Sequence, residues 1–389
     1  MLQKNDILKK TGYGITAYLL VFSYAVCFAV SLQLNIWYAI TTAVISIIIS
    51  VSVKNKVFAP DTFFTVPLLL VLSSGTNALL PFVVIGGGLI FVILKRFCEK
   101  LTLQPAVIGA LSLSLAFAVT ALLTTHYFGI GAKGFTVIEI LKTYRSLGFH
   151  PNWRGVFFGT VTLFSMITYP FKFRRANKYF PAEAFSLLLP LILNLFLNPN
   201  AEYTPINEAV NFTDYLTSKP IGFFLPSFNS EFLFSRSAYI NAFMGALSCG
   251  FLLLFFSKIK TRTDSQATAT LLNGFSGGFP VRAFEVRGFS VLSAVVAVIL
   301  VTATAFLGID VLARIPVHSL AVVLIVNAWK QVPFSTVGRA FKNGVFSTAS
   351  VIVIFAVSVF TNIFIAILAA ILLNTLLSIK AKKGGAENG

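Results

Sequence analysis

Few side chains in this sequence could do chemistry, because only 11% of its 389 residues are charged. Three charges stand among apolar residues beside Pro- or Gly-marked interruptions. They are Asp61, after Ala59-Pro60, and Glu285 and Arg287, after Gly277-Gly278-Phe279-Pro280. A cation near the bilayer centre costs about 3 kcal/mol or more, so Arg287 marks a functional position by default. Beside a helix start it would add a point charge to a backbone anion site. An ion pair with Glu285 or Asp61, or a place at a water-filled mouth, would satisfy it equally well. Arg282 reads as a rim charge nearer such a mouth. Asp61 reads either as the N-cap of the segment it opens, or as a cation or proton site coupling to Na⁺ or H⁺. Ionised, it would repel a dianion; protonated, or paired with Arg287, it would not. Glu285 and Arg287 are two residues apart and would not share a face of a helix. One of them should therefore face away, or the backbone there is not helical. Phe22 and Phe63 can wall a pocket, although with 41 Phe in the chain packing explains them as well.

No nucleophile–base pair appears, so no enzyme is expected. The histidines (His126, His150, His318) show no metal-ligand spacing, and Cys27, Cys98 and Cys249 are too few for a disulfide framework. Neither metal nor cofactor is expected. Apolar residues make up 57% of the chain, whereas a soluble domain is about 25% charged. The formal charge is +17, from 30 Lys and Arg against 13 Asp and Glu, but it is scattered between apolar runs, which argues against nucleic acid as a partner. No cleavable signal is evident at the N-terminus. What remains is an integral membrane protein whose immediate partner is the lipid bilayer.

A helix needs about 20 mainly apolar residues to cross a bilayer. Full-length candidates are 13–32, 36–53, 78–95, 104–125, 155–171, 181–198, 239–257, 289–308, 316–332, 346–361 and 362–379, the last two abutting at Thr361-Asn362 as a hairpin. Three shorter stretches, 62–73, 265–275 and 283–289, bring the elements to fourteen. With both ends in the cytoplasm, the cytoplasmic connections hold the great majority of the Lys and Arg, as the positive-inside rule requires. A bacterial inner membrane is the expected location. Gly86-Gly87-Gly88 fits close helix packing, having neither the Lys nor the strand of a phosphate loop.

The expected organisation is a lead (1–10), a first repeat of seven elements (11–198), an acidic external loop (199–238), a second repeat (239–380) and a tail (381–389). Seven is odd, so the second half enters the membrane inverted. The interrupted segments fall third and tenth, at matching places, and such pairs point to a transporter's binding site. Two half-helices starting in mid-membrane would aim free N–H groups and positive dipole ends at one cavity, an anion site needing no charged side chain.

At these residues the sequence resembles the sulfate permease (SulP) family of anion transporters. Ser276-Gly277-Gly278-Phe279-Pro280-Val281 is similar to the family's entry to its tenth segment, Arg287 falls at the arginine of its serine-arginine pair, and Ala59-Pro60 resembles its Gly-Pro-Thr. Asn5-Asp6-Ile7 with Gly12 to Thr16, and the stretch from Ile315-Pro316 through Trp329-Lys330 to Thr361-Asn362, continue the likeness. The resemblance implies an all-α polytopic fold with core and gate domains and elevator-like transport of a small inorganic or organic anion, of the sulfate, bicarbonate, chloride or carboxylate class. It also implies a homodimer, and a cytoplasmic STAS domain that this chain, ending at Gly389, would lack. The implied site comprises Phe22, Ser23, Asp61, Thr62, Phe63, Glu285, Val286 and Arg287. It departs from the family at Val21-Phe22 (often Pro-Gln), at Asp61 (Thr) and at Val286 (Ser), and Gly250 to Leu254 lack the family's eighth-span glutamate. A non-transporting scaffold, sensor or complex subunit is the alternative. In that case Phe22, Phe63 and Val286 would be packed shut.

Overall fold

The structure is a computed structural model. It describes residues 2–386 apart from 33, 35, 54, 73–78, 98–102, 131–135, 198–235, 258–264, 308 and 313. Nearly all of the acidic external loop (199–235 of 199–238) and the end of the tail (387–389) lie outside the described residues, as does Cys98.

Apolar runs become helices: α1 (Leu2–Ser31), α2 (Ile36–Ser50), α3 (Thr65–Leu72), α4 (Leu80–Phe97), α5 (Pro105–Phe128), α6 (Val137–Leu147), α7 (Trp153–Lys172), α8 (Ala182–Leu197), α9 (Arg236–Ser257), α10 (Ser265–Phe275), α11 (Val291–Leu307), α12 (Val317–Lys330), α13 (Phe334–Lys342), α14 (Val345–Phe360) and α15 (Ile363–Ala386). Among the described residues the fold is all-α but for two five-residue strands, β1 (Lys56–Pro60) and β2 (Val281–Glu285). Among the described residues, Asp6–Ser31, Pro105–Phe128 and Ser237–Phe255 are each long and apolar enough to cross a membrane. α12 and α13 pass the same test together but are bent by 45°.

The helix packing repeats along the chain. α4 lies against α9 and α10; α11 lies against α1 and α2. α5 meets α14, and α12 meets α7. Small residues permit the close approaches. A Cβ on Gly87 would fall 2.6 Å from Cys249 Cβ, and one on Gly14 would fall 2.6 Å from the Ser293 carbonyl oxygen. The glycine run in α4 is thus a packing face. The hairpin between α14 and α15 turns where expected: Thr361 N–H closes α14 on the Val357 carbonyl, and Asn362 Oδ1 caps α15 by accepting from Ile365 N at 3.1 Å.

Besides the two strands, two helices were not expected. α6 lies in the connection between the spans expected at 104–125 and 155–171, opened by a Thr136–Glu139 capping box. α13 lies past the expected end of its span and buries Val337 and Ala340 while exposing Phe334 and Phe341. Both alternate polar and apolar residues too strongly to register as apolar runs.

The interrupted segments take different forms. In the third, β1 leads through a 3₁₀ turn (Thr62–Phe64) directly into α3, the expected half-helix. In the tenth, β2 is followed by a turn at Arg287-Gly288, and α11 begins at Val291. The half-helix expected at 283–289 is therefore a strand end and a turn. The turn needs φ +78° at Gly288, a value glycine adopts freely, and Asn55 pins it by accepting from Val286 N and Gly288 N.

Candidate ion-binding site

β1 and β2 pair antiparallel, with Lys56 opposite Glu285, Ala59 opposite Arg282 and Pro60 opposite Val281. A sheet edge inside a membrane has no water to satisfy it, so its free groups need protein partners. Side chains of α2 and α10 supply them. Ser50 Oγ accepts from Phe58 N at 2.8 Å, Gln266 Nε2 donates to the Val281 carbonyl at 2.9 Å, and Thr270 Oγ1 accepts from Val281 N. Just before β2, Thr42 Oγ1 accepts from Phe279 N at 2.9 Å. The ribbon is fixed on both outer edges.

Strand alternation divides its side chains. Phe58, Val281 and Ala283 pack with Val53 and Ala269 on one face. Val57, Ala59, Arg282 and Phe284 take the other, against α1. There the Tyr24 and Phe284 rings lie 5.0 Å apart, and the Arg282 guanidinium sits 5.8 Å from the Phe284 centroid. Arg282 Nη1 also donates to Gln331 Oε1 at the end of α12. The buried Tyr24 hydroxyl reaches Glu183 Oε1 of α8 at 3.4 Å. The Tyr24 hydroxyl thus lies between the ribbon and a carboxylate of α8.

Asp61 lies at the ribbon's end, its N–H donating to the Pro280 carbonyl. It is fully buried and caps the 3₁₀ turn, accepting from Phe63 N at 3.2 Å. Thr62 and Phe63 follow it and are also buried. Phe22 and Ser23 are buried on α1, which packs along β1.

Glu285, Val286 and Arg287 lie at the other end of the ribbon. At about 3.4 Å per residue, five residues separate the levels of Asp61 and Glu285 by about 17 Å. Arg287 does not enter the site. Its side chain is 86% exposed and pairs at 3.0 Å with Glu285, which is 67% exposed. The backbone there is extended, so residues two apart share a side, and the ion-pair alternative is the one realised. Val286, between them, points inward and is buried.

The inward cation is Arg282, taken from the sequence as a rim charge. Its signal was parity: read at a period of two, 281–285 sets Arg282 and Phe284 on one face and Glu285 on the other. Tyr24, Glu183 and Gln331 carried no comparable signal, since distant elements bring them together.

No protein-family model and no curated protein matches the sequence. Solved structures do match the fold. The transmembrane domain of a cyanobacterium bicarbonate transporter, BicA, superposes with a TM-score of 0.67 at 15% identity, covering 93% of this chain and 96% of that one. The overall structure of SLC26A9 gives 0.72 at 11% identity, covering 97% of this chain and 66% of that one. Murine Slc26a9, an anion transporter in the inward-facing state, gives 0.71 at 11%, covering 96% and 68%. The chain thus spans nearly all of the BicA domain and about two-thirds of SLC26A9, and its fold is the all-α membrane fold of these proteins.

Proposed function

We propose that the protein is a secondary transporter of a small monovalent anion, such as bicarbonate, chloride or a monocarboxylate, working by elevator-like alternating access. The carrying observation is Arg282, turned inward on the strand of an interrupted segment beside Tyr24, in a fold shared with anion transporters. A single cation on the ribbon favours a monoanion over sulfate, because a second negative charge would find no second counter-charge. The same reading takes the chain as a fourteen-element inverted repeat with core and gate domains and both ends in the cytoplasm. The test is uptake of labelled bicarbonate, chloride, acetate and sulfate into proteoliposomes. Uptake of a monoanion ahead of sulfate is expected; folded protein that moves none of them overturns the proposal.

One observation favours a second reading, a non-transporting scaffold. Phe22, Phe63 and Val286 are all buried, at 5%, 1% and 5% exposure. A transporter in a closed conformation packs them the same way, and the uptake assay separates the two.

A further inference from the structure

The short helix α13 plays no part in the ribbon, yet its side chains are sorted into three sectors. Val337 and Ala340, three apart, are buried. They face α5, where a Cβ on Gly109 would meet Val337 Cγ2 at 3.0 Å. Phe334 and Phe341, seven apart and so on one side, are 58% and 48% exposed. Arg339 and Lys342, three apart, share another side and are both exposed. Val345, at the start of α14, continues the exposed apolar surface.

The depth of α13 follows from length. α12 has 14 residues, about 21 Å, and falls short of a hydrocarbon core of about 30 Å. α13 adds nine residues at 45° to α12 and so advances about 10 Å further. With α12 upright, the two together cross the core. Phe334, which opens α13, then lies among acyl chains, and Arg339 and Lys342 in its last turn emerge at the headgroups.

The two cations are uncompensated. The sequence has no Asp or Glu from 311 to 386. Arg339 Nε donates within its own helix, to the Ser335 carbonyl at 3.3 Å. Among the described residues neither cation pairs with a carboxylate. The end of the helix dipole opposes an anion there, but with about half a charge against two full ones. An apolar face at hydrocarbon depth that ends in unpaired cations fits an amphiphile with a negative headgroup. An acidic soluble partner would match the cations and leave the Phe334 face unused.

We infer that α13 is a docking site for an acidic phospholipid, its phosphate held by Arg339 and Lys342 and its acyl chains lying along Phe334 and Phe341. The inference needs only a chain that spans a membrane and is independent of the transport reading.

The experiment titrates the full chain in detergent with phosphatidylglycerol or phosphatidylcholine, counting retained lipids by native mass spectrometry and following the melting temperature. A basic residue near an acidic headgroup is worth about fivefold in affinity. One saturable phosphatidylglycerol site is therefore expected, at least tenfold tighter than for phosphatidylcholine, with a raised melting temperature. Arg339→Gln with Lys342→Gln should bring phosphatidylglycerol down to the level of phosphatidylcholine, whereas Arg339→Lys with Lys342→Arg should retain it. Lys142→Gln with Arg145→Gln, an exposed pair of the same spacing on α6, should change nothing. Equal affinity for the two lipids, or full retention in the Arg339/Lys342 glutamine variant, overturns the site. So does an equal loss in the α6 variant, which would mark general surface charge. Displacement by inorganic phosphate at the concentration of the lipid also overturns it, since the acyl chains would then contribute nothing. A copurifying protein lost from the glutamine variant while lipid retention is unchanged overturns it in favour of a protein partner.

Discussion

The third and tenth segments begin alike, each a five-residue strand on one antiparallel ribbon, and end differently. After β1 the chain has Asp61-Thr62-Phe63-Phe64-Thr65, a cap and enough apolar residues to run to Leu72 as a half-helix. After β2 it has only Val286 to Ser290 before α11 begins, and those five residues turn around Gly288. Two facing half-helices would build an anion site from backbone dipoles alone. Here one half-helix start follows the ribbon, and its own aspartate takes up the Phe63 N–H. On the proposed reading, the positive charge at the ribbon comes from a side chain, Arg282, which the half-helix pattern does not require.

The comparison breaks most sharply at the two arginines of the tenth segment. Arg282→Ala should lower anion uptake by about a hundredfold, roughly 2.8 kcal/mol of lost stabilisation. Arg287→Ala should change it by less than about twofold, because its partner is an exposed carboxylate. Initial rates in proteoliposomes measure both; reversed sensitivities would return the site to the far end of the ribbon.

This is also where the sequence was least legible. Helical spans announce themselves by length and apolar content, and α1, α5 and α9 fell where hydropathy placed them. The glycine run in α4 and the Thr361-Asn362 hairpin were readable because close packing and caps follow from local residue types. A five-residue strand carries only two periods of alternation, and likeness to a known pattern drew attention to Arg287. Resemblance aligned the arginine, but the backbone around it decided which way it points. Tyr24 on α1, Glu183 on α8 and Gln331 at the end of α12 come from distant parts of the chain, and only tertiary packing brings them to the ribbon.

If the α4–α9 and α1–α11 interfaces share one packing scheme, their glycine contacts should be equally intolerant. Gly87→Ala pushes a methyl against Cys249 in the first, and Gly14→Ala pushes one against the Ser293 carbonyl and Val296 in the second. Each should cost about 1–3 kcal/mol, read as a lowered melting temperature. Gly12→Ala, with nothing within 4 Å of the new methyl, should be neutral or slightly stabilising. A neutral Gly14→Ala beside a damaging Gly87→Ala would show that the two interfaces are not packed equivalently.

A smaller effect tests the ribbon edges. β2 draws on Gln266 and Thr270 of α10, whereas β1 draws on Ser50 of α2 for Phe58 N. Gln266→Leu strips the Val281 carbonyl of its side-chain donor, and Ser50→Ala leaves Phe58 N–H buried without its acceptor. Each should cost about 1–2 kcal/mol in melting experiments. Because the strands pair along their whole length, loss at either edge should also reduce uptake, through the common register.

The smallest effect belongs to the Glu285–Arg287 pair and bears most directly on the difference between the segments. If β2 ends in an exposed turn, removing either charge should shift stability by no more than about 0.5 kcal/mol, and a double-mutant cycle of Glu285→Gln with Arg287→Gln should give a coupling in the same range. That coupling should fade as salt rises from 50 mM to 500 mM, since exposed charges are screened while buried ones are largely not. A coupling of several kcal/mol that survives high salt would mean that the pair is enclosed in the working protein. The tenth segment would then reach the site as the third does, and the lopsided arrangement would have to be abandoned.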